Sequence, residues 1–160
     1  MEIERKFTIK SLPEDLSTYP YHHIEQFYLN VNPVIRARKQ DDDYYLTYKG
    51  KGLLAREEYN LPLNKESYYH LREKADGNFI SKRRYLIPIP DASLTIELDI
   101  FDEPFTPLII AEVEFSSEEE AAAFIPPVWF DEDVTFDPAY HNSNLSRRIF
   151  PDSTIILERT

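Results

Sequence analysis

Charged side chains recur at every second position in segments that otherwise read as β-strands, and this pattern limits the folds open to the chain. The first such segment is Met-Glu-Ile-Glu-Arg-Lys-Phe at residues 1–7, in which Glu2, Glu4 and Lys6 share one parity. Residues two apart in a strand point to the same face, so two carboxylates and an ammonium group lie along one side. The pattern returns in Arg36-Ala37-Arg38, Thr47-Tyr48-Lys49, Arg56-Glu57-Glu58, Lys82-Arg83-Arg84, Glu97-Leu98-Asp99 and Glu112-Val113-Glu114.

Most of the chain is predicted to be strand, because β-branched and aromatic residues are concentrated in runs separated by turn residues. The predicted strands are residues 2–10, 25–31, 34–40, 43–50, 55–63, 79–89, 93–101 and 108–116. Asp41-Asp42-Asp43 and Gly50-Lys51-Gly52 read as hairpin tips, so neighbouring strands are expected to be antiparallel.

Capping signals predict three helices. Asn64 caps a helix over residues 65–75. Ser116 and Glu119 form a capping box for residues 117–124. Asp137 followed by Pro138 starts a third helix that runs to about Arg147.

Length and composition narrow the class of protein. A chain of 160 residues, 42% hydrophobic and 29% charged, is typical of one folded domain, here residues 1–160. The lack of cysteine excludes disulfides, thiolate metal sites and a cysteine nucleophile. No apolar run is long enough to span a bilayer, and the first residues lack a signal-peptide pattern, so no membrane partner and a cytoplasmic location are expected. The net charge of −11 argues against nucleic acid as a partner but leaves a small anionic ligand possible.

The bases and the acids come in like-charged sets, such as Arg36 with Arg38 and Glu112 with Glu114. The residues alone leave two arrangements open: the outer polar face of an ordinary sandwich, or the interior of a closed barrel. A barrel brings alternate residues of every strand to its inside. Carboxylates on one wall and bases on the other would hold divalent cations beside a multiply charged anion, since Mg²⁺ and Mn²⁺ prefer oxygen ligands.

The N-terminal segment resembles the ExExK signature of the CYTH superfamily, the triphosphate tunnel metalloenzymes. The resemblance continues through Gln26-Phe27-Tyr28-Leu29, Ile35-Arg36-Ala37-Arg38, Leu46-Thr47-Tyr48-Lys49-Gly50, Arg56-Glu57-Glu58, Glu97-Leu98-Asp99, Ala111-Glu112-Val113-Glu114-Phe115 and Tyr140-His141-Asn142-Ser143-Asn144-Leu145. These segments span nearly the whole chain in order, so the resemblance favours the barrel over the sandwich.

This resemblance implies an α+β fold, mainly antiparallel β: an eight-stranded closed tunnel with a few peripheral helices, which binds a triphosphate and needs Mg²⁺ or Mn²⁺. Phe124-Ile125-Pro126-Pro127 followed by Trp129-Phe130 is similar to the short bacterial members that include inorganic triphosphatases. The expected reaction is therefore metal-dependent hydrolysis of inorganic tripolyphosphate to diphosphate and phosphate. The alternatives are a thiamine- or nucleoside-triphosphatase, an adenylate cyclase on the same scaffold, or a noncatalytic polyphosphate-binding module.

Roles follow for the charged rows. The expected metal ligands are Glu2, Glu4, Glu112 and Glu114, with Glu58, Glu97 and Asp99 as further ligands. The expected substrate-binding bases are Lys6, Arg36, Arg38, Lys49, Arg56, Lys82 and Arg84. Glu4 and Glu114 would take part in catalysis through the metal, and Lys82 would stabilise the leaving diphosphate. The partner is a small anionic triphosphate, and the protein is expected to be a monomer or a homodimer.

Two positions depart from the family pattern, and two others offer internal controls. Asn60 stands where the family often has a second acid, and His141 stands where it often has a base. Glu57 and Arg83 have the opposite parity to their neighbours and are expected to face outward. The third predicted helix would lie at one mouth of the tunnel or pack outside it, and the sequence leaves both open.

Overall fold

Antiparallel strands dominate residues 1–150, the part of the chain that the computed structural model describes. The strands are β1 (Glu2–Ile9), β2 (Tyr21–Val31), β3 (Val34–Gln40), β4 (Asp43–Lys49), β5 (Ala55–Arg56), β6 (Glu58–Pro62), β7 (Asp76–Pro88), β8 (Thr95–Phe101), β9 (Ile109–Glu114) and β10 (Phe130–Asp133). The helices are α1 (Lys65–Arg72), α2 (Glu118–Ala123) and α3 (Asn142–Leu145), with 3₁₀ turns at Leu16–Thr18 and Pro138–Tyr140. No helix in this range has the length and apolar content needed to cross a bilayer.

The sheet closes into a barrel because one interrupted segment joins its two ends. The order of hydrogen-bonded strands is β10-β1-β9-β8-β7-β2-β3-β4-β6, and β5 pairs with β1. Glu2 lies opposite Arg56 on β5, and Tyr48 lies opposite Tyr59 on β6. β5 and β6 are two parts of the segment predicted as 55–63 and together occupy one strand position. Eight strand positions therefore surround the interior, and the predicted barrel is confirmed. The sheet itself has ten strands in residues 1–150, because that segment breaks at Glu57 and β10 is added.

β10 is the strand that sequence patterning missed. Its four residues, Phe-Asp-Glu-Asp, carry too few apolar or β-branched side chains to read as a strand. It forms because the edge of β1 beyond β5 would otherwise expose unpaired backbone groups. Ile9 pairs with Phe130, and farther back along the same edge the Val134 N–H donates to the Lys6 carbonyl at 2.8 Å.

Helix boundaries differ from the prediction at three places. The Asn64 cap is confirmed, but α1 ends at Arg72 rather than at residue 75. The cap of α2 lies one residue later than predicted, since Ser117 Oγ accepts from the Glu120 N–H at 3.0 Å. The single helix predicted from residue 138 is wrong: His141, with φ −80° and ψ 134°, interrupts it between the 3₁₀ turn and α3.

Most apolar packing lies outside the barrel, which leaves the interior to charged groups. Phe7, Leu98 and Val113 belong to a cluster on the outer face, against which Phe124 and Trp129 pack from the segment after α2. Inside, one end of the tunnel is filled by an apolar cluster that includes Ile80, Phe101, Ile110 and, from α3, Leu145. The charged rows therefore line a cavity that is closed at one end.

Candidate active site

All but three of the predicted site residues line one cavity of about 310 Å³ inside the barrel, here called the reaction cavity. They are Glu2, Glu4, Lys6, Arg36, Arg38, Lys49, Glu58, Arg84, Glu97, Glu112 and Glu114. Gln40, Tyr45, Asn60 and Asn142 complete the lining. Glu57 and Arg83 are exposed, as their parity predicts. The alternation of charged residues thus reports which side chains face inward.

The carboxylates are concentrated on the wall formed by β1, β9 and β8. Glu4 lies opposite Glu114, and Glu97 lies opposite Glu112, so like charges face each other across adjacent strands. Such pairs are unfavourable unless a positive charge lies between them. Burial, together with the charges of Glu4 and Glu58, raises the pKa of Glu114. This wall therefore favours a cation.

Glu2 and Glu58 lie close together at the end of this wall, since Lys49 Nζ is 2.8 Å from Glu2 Oε1 and 3.3 Å from Glu58 Oε2. Burial and the nearby charge of Glu4 raise the pKa of Glu2 to about 8. Burial alone would raise the pKa of Glu58, but its hydrogen bond with Glu2 and the Lys49 ammonium group outweigh burial and lower that pKa to about 2. The raised pKa of Glu2 favours its protonated form, and a bound cation would compete with a proton for the carboxylate oxygens of this pair.

Two lysines lie among the carboxylates. Lys6 Nζ donates to Glu112 Oε1 at 2.8 Å and lies 3.3 Å from Glu4 Oε1. Lys49 Nζ donates to Glu2 Oε1 at 2.8 Å. Within residues 1–150, no group of three or more histidine, aspartate or glutamate side chains is preassembled as a metal site. The donors are nonetheless carboxylate oxygens, the type that Mg²⁺ and Mn²⁺ prefer, so the chemistry of the acidic wall fits such a cation.

Arg36 and Arg38 form the facing wall on β3. Both are buried, and neither forms an ion pair with a carboxylate of residues 1–150. Arg38 donates twice to Gln26 Oε1, at 2.9 and 2.6 Å, and Arg36 Nη2 donates to Thr47 Oγ1 at 3.3 Å. Arg36 Nε is buried with no hydrogen-bond partner in this part of the chain. Burial and the charges of Arg36 and Arg84 lower the pKa of Arg38 to about 9, so this wall demands an anion.

Asn60 links the two walls. Thr47 Oγ1 donates to Asn60 Oδ1 at 2.6 Å, and Asn60 Nδ2 donates to Glu58 Oε1 at 3.0 Å. An ionised acid at this position would have no N–H to donate and would repel Glu58. The departure from the family pattern therefore costs one potential ligand but helps to keep Glu58 ionised and oriented.

Lys82 and Asp99 do not reach the reaction cavity. Both side chains are fully buried, with Lys82 Nζ 2.7 Å from Asp99 Oδ2. Asp99 also accepts from Arg84 Nε at 2.7 Å and from Arg84 Nη2 at 2.8 Å. The structure thus places the two residues beneath Arg84, where Asp99 holds its guanidinium group, and outside the lining of the reaction cavity, so their predicted roles in binding metal and stabilising the leaving group stay predictions.

Arg56 and His141 lie behind the reaction cavity. Arg56 Nε and Nη2 donate to the Gly50 carbonyl at 3.1 and 3.0 Å, and Arg56 lines a smaller cavity. His141 is buried, with Nε2 2.9 Å from the Thr135 carbonyl oxygen, and burial lowers its pKa. His141 is therefore mostly neutral at neutral pH and does not replace a permanent base.

Two uncharged polar residues connect the charged groups: Gln26, to which sequence analysis assigned no role, and Asn142, whose contact with the site the sequence left open together with the position of the third helix. Asn142 Oδ1 accepts from Lys82 Nζ at 3.2 Å and from Gln26 Nε2 at 3.3 Å. Gln26 and Asn142 both fall in segments of the family resemblance, and Gln26 has the parity of the inward-facing charged residues. Because neither side chain is charged, the charge pattern does not single them out. With Leu145 in the apolar end, these contacts place α3 in the mouth of the tunnel rather than outside it.

Two curated relatives match almost the full length of the chain. One is the inorganic triphosphatase of Nitrosomonas europaea, 39% identical over 152 residues, which cover 92% of this chain and 98% of the relative. The other is the inorganic triphosphatase of Acetivibrio thermocellus, 33% identical over 148 residues, with 90% and 92% coverage. No protein-family model matches the chain.

The solved structures agree with these relatives. The crystal structure of the inorganic triphosphatase NE1496 superimposes with a TM-score of 0.70 at 35% identity, covering 93% of this chain and 96% of that one. The structure of PH1012 protein from Pyrococcus horikoshii, at 21% identity and a TM-score of 0.57, shares the fold. Identity above 30% over nearly the whole length, on a barrel whose interior carries the signature charges, shows that the chain belongs to the CYTH superfamily of triphosphate tunnel metalloenzymes.

Proposed function

We propose that the chain hydrolyses inorganic tripolyphosphate to diphosphate and phosphate in the reaction cavity, with Mg²⁺ or Mn²⁺ as cofactor. The observation that carries this proposal is the pair of buried, unneutralised guanidinium groups of Arg36 and Arg38 facing the carboxylate wall. A polyanion and a cation bound together would neutralise both walls, whereas either alone would neutralise only one. The names of the two curated relatives point to the same substrate.

The residues of the chain would act mainly by binding and orienting. A cation held by Glu4 and Glu114, with help from Glu2 and Glu58, would neutralise phosphate oxygens. Arg36 and Arg38 would bind the phosphate chain bidentately, and Arg84 would donate to it through its remaining Nη1 N–H. Lys6 and Lys49 would turn from their carboxylates to phosphate oxygens. We assign Glu97 and Glu112 to the outer shell of this site, since both already accept from Arg84.

Positioning and charge stabilisation carry most phosphoryl transfers, so no covalent nucleophile is needed. A water molecule would attack the terminal phosphorus in line. The bond between that phosphorus and the bridging oxygen would break, and diphosphate would leave. A carboxylate of the acidic wall, Glu114 in our assignment, would accept the proton of the attacking water. Arg84, held by the buried Asp99, would stabilise the charge on the leaving diphosphate.

The test is phosphate release from tripolyphosphate, ATP and thiamine triphosphate in parallel, each with Mg²⁺, with Mn²⁺ and with a chelator. We expect release from tripolyphosphate with either metal and none with the chelator. Undiminished release with the chelator would contradict the role of the metal. Faster release from ATP or thiamine triphosphate would reassign the substrate, and tight binding without release would indicate a noncatalytic module.

Arg38→Ala should chiefly weaken substrate binding. A charge-assisted hydrogen bond to phosphate is worth about 1.5–3 kcal/mol, so KM for tripolyphosphate should rise roughly 10- to 100-fold with a smaller change in kcat. Steady-state kinetics at saturating metal would measure this, with Arg83→Ala as the matched control because Arg83 is exposed on the outer face. An unchanged KM in Arg38→Ala would remove Arg38 from the substrate site.

The cytoplasmic location and the choice between monomer and homodimer stay predictions from the sequence. The single domain over residues 1–160 is also a prediction, and the structure describes residues 1–150 of it.

A further inference from the structure

Three cavities follow one another through the barrel, and the last lies beyond the reaction cavity. The reaction cavity shares Lys6, Arg36 and Asn142 with a narrow neck of about 30 Å³, which has room for one or two water molecules. The neck in turn shares Arg56 and His141 with a third cavity of about 370 Å³, here called the rear cleft. The three cavities therefore adjoin one another, and the rear cleft lies beside α3, on the far side of the Arg56 and His141 side chains that it shares with the neck.

The rear cleft is basic although the whole chain carries a net charge of −11. Lys51, Arg56 and Arg147 line it together with His141, and no carboxylate is among its lining residues. None of the three bases forms an ion pair with a carboxylate of residues 1–150. At the front of the tunnel, by contrast, carboxylates crowd the cavity. The rear cleft thus presents bases alone to an anion, whereas the reaction cavity presents bases and carboxylates together.

The loop that carries Lys51 is held in place. The Gly50 carbonyl accepts both hydrogen bonds of Arg56, and the Gly50 N–H donates to the Glu57 carbonyl at 3.0 Å. Gly52 has φ +123°, and a Cβ there would lie 2.1 Å from the Ala55 carbonyl oxygen, so the loop folds tightly back on β5. The bases therefore flank a cleft whose backbone is already formed, which lowers the entropic cost of binding a ligand.

We propose that the rear cleft is a second phosphate-binding site, in which Lys51, Arg56 and Arg147 hold a phosphate group outside the reaction cavity. The proposal rests on the proposed function for the source of that group, but the binding itself does not require turnover. The group is either a released product, diphosphate or phosphate, or the far end of a polyphosphate longer than three units that has passed through the neck. Passage would require the side chains of Arg56 and His141 to move apart.

The decisive experiment is calorimetric titration of the full chain with inorganic diphosphate, without metal and without turnover. We expect two binding events in the wild-type protein. In the double variant Lys51→Glu/Arg147→Glu, the event assigned to the rear cleft should weaken at least about tenfold, because two charge-assisted contacts are lost and reversed. The control Lys65→Glu/Lys74→Glu makes the same change of charge at exposed positions on and just after α1 and should retain both events.

Kinetics then separate the two sources. Weaker inhibition by diphosphate in the double variant, with KM for tripolyphosphate within about threefold of wild type, would identify a product site. Alternatively, kcat/KM for tetrapolyphosphate divided by kcat/KM for tripolyphosphate would be lower in the double variant than in the wild-type protein, which would identify a site for longer chains. A single binding event in the wild-type protein, or equal weakening in the control, would overturn the proposal. Because the titration does not depend on hydrolysis, failure of the proposed function would appear separately.

Discussion

Glu114→Gln should lower the kcat of tripolyphosphate hydrolysis at saturating Mg²⁺ by at least about 100-fold, because a bound metal contributes several kcal/mol of charge stabilisation and each 1.4 kcal/mol is tenfold in rate. Glu114 lies opposite Glu4 on the carboxylate wall, and the amide keeps the shape of the side chain while removing its charge. The fold should be retained, since the substitution relieves repulsion between the two carboxylates. Phosphate release and the thermal midpoint, measured together, check both statements.

Glu4→Gln should behave in the same way, and Glu57→Gln provides the matched control. Glu57 lies between β5 and β6 and is exposed on the outside of the barrel. Its amide variant should therefore keep wild-type kcat. Wild-type activity in both Glu4→Gln and Glu114→Gln would contradict the assignment of the metal to this wall. Loss of activity accompanied by a large fall in the thermal midpoint would point instead to a structural role.

Which residues line the site could be predicted from the sequence, because alternate residues of every strand in a barrel face the interior. Arg36, Arg38 and Lys49 lie at alternate positions of neighbouring strands, and each faces the interior. The same rule placed Glu57 and Arg83 on the outside. Parity is local, since it depends only on the two-residue period of a strand, so it survives errors of a few residues in strand boundaries.

Depth along the tunnel could not be predicted in the same way. Lys82 and Arg84 share a face of β7, yet Arg84 lines the reaction cavity and Lys82 is sealed beneath it. Lys82 is buried because the apolar cluster at that end of the tunnel, which includes Ile80, Phe101 and Leu145, covers it. These residues come from three distant parts of the chain. β10 was missed for a related reason, because it forms on the free edge of β1 rather than from its own strand propensity.

The buried cluster beneath the cavity carries the largest expected effect on stability. Asp99 compensates two buried cations, Lys82 and Arg84. The side chains of Asp99 and Lys82 are 0% exposed, and that of Arg84 is 10% exposed. Arg84 keeps other partners if Asp99 is removed, since it lies 3.1 Å from Glu97 Oε2 and 3.2 Å from Glu112 Oε2. Lys82 has no other ion-pair partner in residues 1–150. Burial, opposed by Asp99, already lowers the pKa of Lys82 to about 7, so without Asp99 the amine would lose its proton rather than remain charged.

Asp99→Asn should therefore lower the free energy of unfolding by about 3 kcal/mol, the lower end of what breaking a buried ion pair usually costs, because deprotonation of Lys82 limits the loss. Urea denaturation measures the change. The double variant Asp99→Asn/Lys82→Met should lose less than the single variant, since it leaves no unpaired amine in the apolar end of the tunnel. An equal loss in the two variants, or a loss below about 1 kcal/mol in the single one, would mean that Lys82 and Asp99 are not coupled. If they are coupled, Asp99 stabilises the floor of the site as well as orienting Arg84, and Asp99→Asn should also reduce kcat.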